Sequence, residues 1–274
     1  DIGPGSPTGV ISGSGAKFPS KYQSAIYALD WTYGSIWAIH LKPEGSSYNA
    51  VREEFVGGKP LPVTDAIIHP KNGSMYFAVG GRGSKSFLYK VSYSGNESTK
   101  AVSGSFADGK GLRTIRRSME DLQRPGNKGD LDEIWKNLGS DDRFIRNAAR
   151  IALEHQPVDT WSTKALSTKD PQTLLSAVTA LARNGSSDLQ DEILTALDRL
   201  EWVKLSEVQQ LHLLRNYGLV FIRLGRPNPK AAIKLIGKLD PHYPAATDAL
   251  NRELCIILTY LESDSVPAKT IPLL

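Results

Sequence analysis

Up to about Gly111 apolar and polar residues alternate with a period of two, and from Leu112 the apolar ones recur every three or four positions. The first rhythm predicts strands. Segments 25–30, 35–41, 49–56, 65–69, 74–79 and 86–93 are short and rich in Ile, Val, Tyr, Phe and Trp. Turn-forming stretches separate them, among them Lys42-Pro-Glu-Gly, Gly57-Gly58, Asn72-Gly73 and Gly80-Gly-Arg-Gly. Asn-Gly supplies the positive φ of a tight hairpin, so neighbours in sequence pair and the order is an antiparallel meander. Meanders of three or four strands are the unit of β-propellers. Six strands make one and a half to two blades, too few to close a ring. Either a neighbouring segment completes it or the strands pack as a small open sandwich.

The second rhythm predicts helices over 112–123, 131–138, 141–154, 160–166, 171–184, 189–200, 206–224, 229–239 and 244–262. Asp170-Pro171, Asn228-Pro229 and Tyr243-Pro244 put proline near a first helical position, Asn184-Gly185 and Leu224-Gly225 supply stops, and Ser206 with Gln209 fits a capping box. Helix pairs recur at intervals within the range of two-helix solenoid repeats. The stretch LDEIWKNLGSDDRFIRNAARIALE resembles a HEAT repeat, with Ile134, Trp135 and Leu138 inward on one helix and Phe144, Ile145, Ala148, Ala149 and Leu153 on the next. Asp142 and Arg146 stand four apart, where a salt bridge or a turn hydrogen bond is natural. The expected fold class is α+β multidomain: an antiparallel β-meander of partial β-propeller blades over 1–95, a linker with one helix over 96–127, and a HEAT-like α-solenoid over 128–274.

The string PVTDAIIHPKNGSMYFAVGG followed by FLYKVSY is similar to a blade of soluble quinoprotein sugar dehydrogenases and sorbosone-dehydrogenase-like propellers. In those an Asp opens the blade, an Asp/Asn-Gly turn joins two strands and a closing strand follows. Upstream, GAKFP, KYQ and DWTYG, and downstream DRFIRNAARIALE, LRNYGLVFIRLG and NREL, resemble large secreted proteins of Planctomycetes and Verrucomicrobia, the membrane-bound-dehydrogenase-like or heme-binding group. The resemblance implies a propeller followed by HEAT-like repeats, a periplasmic or secreted bacterial location, and a c-type heme or quinone elsewhere in a longer protein. It also implies two partners, the rest of the propeller and a downstream cytochrome c-like domain. The opening at Asp1 without Met and the ending in Ile271-Pro-Leu-Leu fit a portion of something longer.

Charge and composition narrow the picture. Among 274 residues, Lys and Arg number 33 against 29 Asp and Glu, and the excess of +4 is spread too evenly to demand nucleic acid. Arg113, Arg116, Arg117 and Arg124 share a helix with Glu120 and Asp121, as on a solvated face. No apolar run approaches the roughly 18 residues of a transmembrane helix. The one cysteine, Cys255, sits in an apolar run and has no disulfide partner.

Motifs of chemistry are sparse. There is no Gly-x-Ser-x-Gly, no His-x-x-His, no His-Glu-x-x-His and no Cys-x-x-Cys-His, so no local metal site and no covalent heme site is expected, and catalytic residues are unassigned. Ser14-Gly-Ala-Lys17 matches Ser-x-x-Lys without a second motif. Arg82 holds a guanidinium in a glycine-rich loop and is the first candidate for a polar ligand contact. Asp65 and His69 are four apart on a strand and, with Lys71, could line a polar pocket, or Asp65 could tie off a turn through backbone amides. Trp31, Tyr33 and Trp37 suit a blade core, or a sugar platform if exposed. On the helices, Arg143, Arg146, Arg150, Arg215 and Arg252 mark a candidate partner surface, against the alternative of a salt-bridge ladder between repeats.

Three functions are therefore open. The first is the scaffold and ligand-binding part of an exported, sugar-dehydrogenase-like electron-transfer oxidoreductase. The second is a non-catalytic scaffold for a protein or polysaccharide. The third is a hydrolase whose site is assembled from residues far apart in sequence.

Overall fold

The structure is a computed structural model that describes residues 3–81, 83–124, 126–127 and 129–273. The chain is α+β and divides into two compact units, Asp1–Arg113 and Thr114–Leu274.

In the first unit, β1 (Pro7–Ser12), β2 (Ile26–Asp30), β3 (Ser35–Glu44) and β4 (Ser47–Gly57) form one antiparallel sheet in sequence order, with the short α1 (Ser20–Gln23) between β1 and β2. A second antiparallel sheet holds β5 (Val63–Ile68), β6 (Met75–Gly81) and β7 (Ser84–Val91). Strands β2 to β7 are the six expected from alternation; β1 was not among them. The hairpin after β3 also lies farther along than Lys42-Pro-Glu-Gly suggests. Pro43 pairs with Tyr48 inside the ladder, and the turn falls at Gly45, whose φ is +55°.

Register explains the core. Tyr27 pairs with Ala38 and Leu29 with Ile36, so all four face one side, where Val63, Ala66, Met75, Phe77 and Val79 of the second sheet meet them. The chain leaves the first sheet at its far edge, β4, and enters the second at β5, whose main neighbours outside its own sheet are β1 and β2. Two side chains stitch the sheets together: Thr8 Oγ1 donates to the Val63 carbonyl at 2.8 Å, and Trp31 Nε1 to the Gly80 carbonyl at 2.9 Å. The outward faces keep apolar residues in solvent, Val10 on the first sheet, and Ile67 and Leu88 on the second.

The second unit is helical. Its elements are α2 (Lys110–Asp121, which begins in the first unit), α3 (Leu131–Leu138), α4 (Arg143–Glu154), α5 (Ser162–Ser167), α6 (Pro171–Asn184), α7 (Gln190–Asp198), α8 (Glu207–Leu224), α9 (Pro229–Leu239), α10 (Asp248–Tyr260) and α11 (Val266–Thr270). Helices α4, α6, α8 and α10 pack in series, and α3, α5, α7 and α9 each pack on the helix that follows, over one continuous apolar core. Side-chain caps fix the starts: Asp130, Asp142, Asp170, Asn228 and Thr247 each accept from a first-turn amide, and Ser206 with Gln209 forms the full capping box. Helix α10 begins at Asp248, later than the expected 244. The Asn251 amide holds both the N–H of Ala245 at 2.6 Å and its carbonyl at 3.1 Å, which keeps that segment out of the helix.

Candidate functional site

Among the described residues singled out on the strands, Asp65, His69 and Lys71 are not brought into contact through their side chains. Asp65 is exposed on β5, and its carboxylate accepts from the adjacent Ala66 amide at 2.8 Å. His69 follows the strand, and its Nδ1 accepts from the Lys71 and Asn72 amides at 3.3 Å each, closing the turn. Lys71 is exposed in that turn. Four residues of extended chain place Asp65 and His69 about 13 Å apart. Arg82 lies outside the described residues. Ser14 and Lys17 are both exposed. Beside Trp37, a cavity of about 560 Å3 opens on the outward face of the first sheet, also lined by Tyr33 and Glu54, but the Arg52 guanidinium covers the Trp37 ring at 4.7 Å.

Four of the five candidate arginines, all but Arg143, come near one another. Consecutive members of the longer helix series present Arg146 and Arg150 from α4, Gln172 and Thr179 from α6, His212, Arg215 and Asn216 from α8, and Arg252 and Glu253 from α10. At the centre, His212 Nε2 lies 3.0 Å from Thr179 Oγ1, which lies 2.7 Å from Asn216 Oδ1. Asn216, 1% exposed, donates through Nδ2 to the Leu175 carbonyl at 2.8 Å. Gln172 Nε2 is 3.5 Å from His212 Nδ1. One assignment satisfies the chain: Gln172 donates to Nδ1, Nε2–H donates to the Thr179 hydroxyl, and that hydroxyl donates to Asn216. Burial, and then the positive charges of Arg146, Arg150 and Arg215, push the imidazole down to about 4, so it is neutral near pH 7.

Around this centre, the Glu154 carboxylate is held by Arg150 and by Arg183, the latter at 2.9 Å. Arg215 and Arg252 each stand 3.7 Å from Glu253. Arg146 closes the turn before α4 by donating to the carbonyls of Ser140 and Asp141, while Asp142 caps that helix. Arg143 stands apart, stacked on Phe144 at 4.6 Å. Two of the ion pairs in this strip, Arg183 with Glu154 and Arg215 with Glu253, cross between helices, while Arg150 with Glu154 and Arg252 with Glu253 lie within one.

The imidazole has no carboxylate partner among the described residues, and the Thr179 hydroxyl has two acceptors of its own, Asn216 Oδ1 at 2.7 Å and the Leu175 carbonyl at 2.9 Å, so neither a base–nucleophile pair nor an acid–base pair is assembled there. Among the described residues no cluster of His, Cys, Asp and Glu could hold a metal ion. Nor is any described helix long and apolar enough to cross a membrane.

Sequence reasoning missed Thr179, His212 and Asn216. The available signal was the four-residue spacing of His212 and Asn216 within an apolar run, which puts two polar groups on one helix face. It also missed a cluster at Glu53, which accepts from Lys21, from the Tyr22 hydroxyl at 2.8 Å and from His40 at 2.9 Å. These hydrogen bonds, Lys21's foremost, hold the Glu53 carboxyl down to about 2.

Comparisons with protein-family models, with curated proteins and with solved structures found no match.

Proposed function

We propose that the chain is a binding scaffold: two β-propeller blades followed by HEAT-like repeats, serving as the ligand-binding part of an exported, sugar-dehydrogenase-like electron-transfer protein. The observation that carries this reading is the path from β4 to β5. A propeller chain leaves each blade by its outermost strand and starts the next at the innermost, so that first strands ring a common axis. Here β5 follows the far-edge strand yet lies beside β1 and β2. The apolar outward faces at Val10 and at Ile67 and Leu88 are what blades on either side would cover. The helical half fits the repeat reading, since each long helix packs on the long helix of the pair before it.

On this proposal the redox group, a c-type heme or a quinone, belongs to another part of the protein, and the location is periplasmic or secreted. The chain supplies surfaces for its own propeller, for a cytochrome c-like domain and for a carbohydrate or protein ligand. The test is dye-linked sugar oxidation by the purified chain. Binding without turnover is expected, and reduction of the dye by any sugar with this chain alone overturns the scaffold reading.

A second reading, a protein-binding scaffold without redox function, draws on the arginine strip. Its guanidiniums suit an acidic peptide. Fluorescence anisotropy with a glutamate-rich peptide would then show affinity that falls as salt rises and is lost in Arg215→Glu. Equal binding by that variant excludes the strip as the docking surface.

A further inference from the structure

Helices α7 and α9 are bridged at two points, by Asn228 Nδ2 to Asp191 Oδ1 at 3.0 Å and by Lys234 Nζ to Asp198 Oδ2 at 2.7 Å. Between the bridges they leave a cavity of about 300 Å3. This lies at the lower end of the size of ligand pockets. Periodicity explains its walls. Asp191, Leu194, Thr195 and Asp198 fall at i, i+3, i+4 and i+7, on one face of α7. On α9 the facing positions are Ala231, Lys234 and Leu235, and the short side chain of Ala231 keeps the space open.

Tyr217 of α8 lines the same cavity and is only 1% exposed. Its ring is fixed by stacking on Phe221, with centroids 6.4 Å apart and planes at 19°. A tyrosine hydroxyl this deeply placed normally finds a partner. Tyr217 has none among the described residues, and the one sealed polar atom without a hydrogen bond there is Arg113 Nη1, so the Tyr217 oxygen is not closed off and opens on the cavity. Burial, and then the Asp198 charge, raise its pKa, which keeps the proton on the oxygen as a donor.

We propose that this cavity is a binding site for a neutral polyol of about monosaccharide size, oriented by the Tyr217 hydroxyl. The charges of the lining balance in number, Asp191 and Asp198 against Lys230 and Lys234; Asp198 is paired with Lys234 at 2.7 Å and with Lys238 at 3.4 Å, and Asp191 accepts from the neutral Asn228 amide. A charged ligand would have to compete with those pairs. A neutral one can use the carboxylates' spare lone pairs and the Thr195 hydroxyl for its own hydroxyls, and lay its C–H face on Leu194 and Leu235. The site lies within the helical unit and does not depend on the blades or on the arginine strip.

The test is calorimetric titration of the whole chain with a panel of neutral hexoses, pentoses and sugar alcohols, with glucuronate as the charged arm. Saturable one-to-one binding of at least one neutral member is expected, with chemical-shift changes on the unaltered chain confined to α7, α9 and the end of α8. Tyr217→Phe keeps the ring and removes the donor, and should weaken binding about tenfold. Ala231→Leu fills the space and should abolish it, with a thermal melt showing that each variant folds. No binding by any neutral member overturns the proposal, as does tighter binding of glucuronate than of its neutral parent. Binding that persists in both variants, or shifts mapping elsewhere, overturns this site while leaving the scaffold reading standing.

Discussion

Thr179 and His212 meet at 3.0 Å across the seam between α6 and α8, and the imidazole that makes this contact is crowded by Arg146, Arg150 and Arg215. That relationship makes the helical unit sensitive to mild acid. The folded value of about 4 lies below the ordinary 6.5, so between the two the unfolded chain binds a proton that the folded chain refuses. Stability from this group is intact above about pH 6.5 and declines as pH falls toward 4, by on the order of 1–2 kcal/mol for a partly exposed ring. Carboxylates held low by their partners, such as Asp132 and Asp240, lose their contributions only in more acid solution. Urea midpoints at pH 7 and about 4.5 should therefore converge in His212→Gln, and an unchanged pH dependence in that variant refutes the assignment.

Asn216 is the most exacting member of the network, because both ends of its amide are used in a buried place. Asn216→Ala removes two buried hydrogen bonds, while the Thr179 hydroxyl can still donate to the Leu175 carbonyl at 2.9 Å, and should cost about 1–2 kcal/mol in chemical unfolding. A double-mutant cycle with Thr179→Val should show coupling of at least about 0.5 kcal/mol. Strict additivity would mean that the two side chains act independently.

In the first unit Gly73 has a φ of +69°, and a Cβ there would fall 2.8 Å from the Lys17 backbone nitrogen, which donates to the Gly73 carbonyl. Gly73→Ala combines left-handed strain with a clash against main chain. It should destabilise the unit by about 2 kcal/mol or more. A melting temperature equal to that of the parent chain is the contrary result.

Asp170 accepts from the Thr173 amide at 2.8 Å and from its hydroxyl at 2.7 Å, at the start of the helix that carries Thr179. Asp170→Ala should cost about 1 kcal/mol. Asp170→Asn should recover most of it, whereas a deficit equal to that of alanine would point to charge rather than capping.

Much of this architecture was legible because punctuation is local. The expected bounds 131–138, 171–184 and 229–239 coincide with α3, α6 and α9, where an Asp or Asn cap, in two cases followed directly by proline, marks the start. Strand β1 was not legible, because Pro7-Thr-Gly-Val-Ile-Ser carries few apolar residues and gains its place by pairing with β2 and by the Thr8 bond to Val63. The sites were the hardest part. His212 meets Thr179 across 33 positions of chain, and Glu53 gathers partners from 13 to 32 positions away, distances that no local spacing reports. Asp65, His69 and Lys71, close in sequence, are each occupied with their own backbone or with solvent.

The serial packing of α4, α6, α8 and α10 has a mechanical consequence. Each long helix leans on the next one along, so a small rotation at one seam adds to that at the following seam without prying open the interior. The helical half should stretch and recoil under load like a short spring, and whatever it holds across several seams would set that spring's rest length.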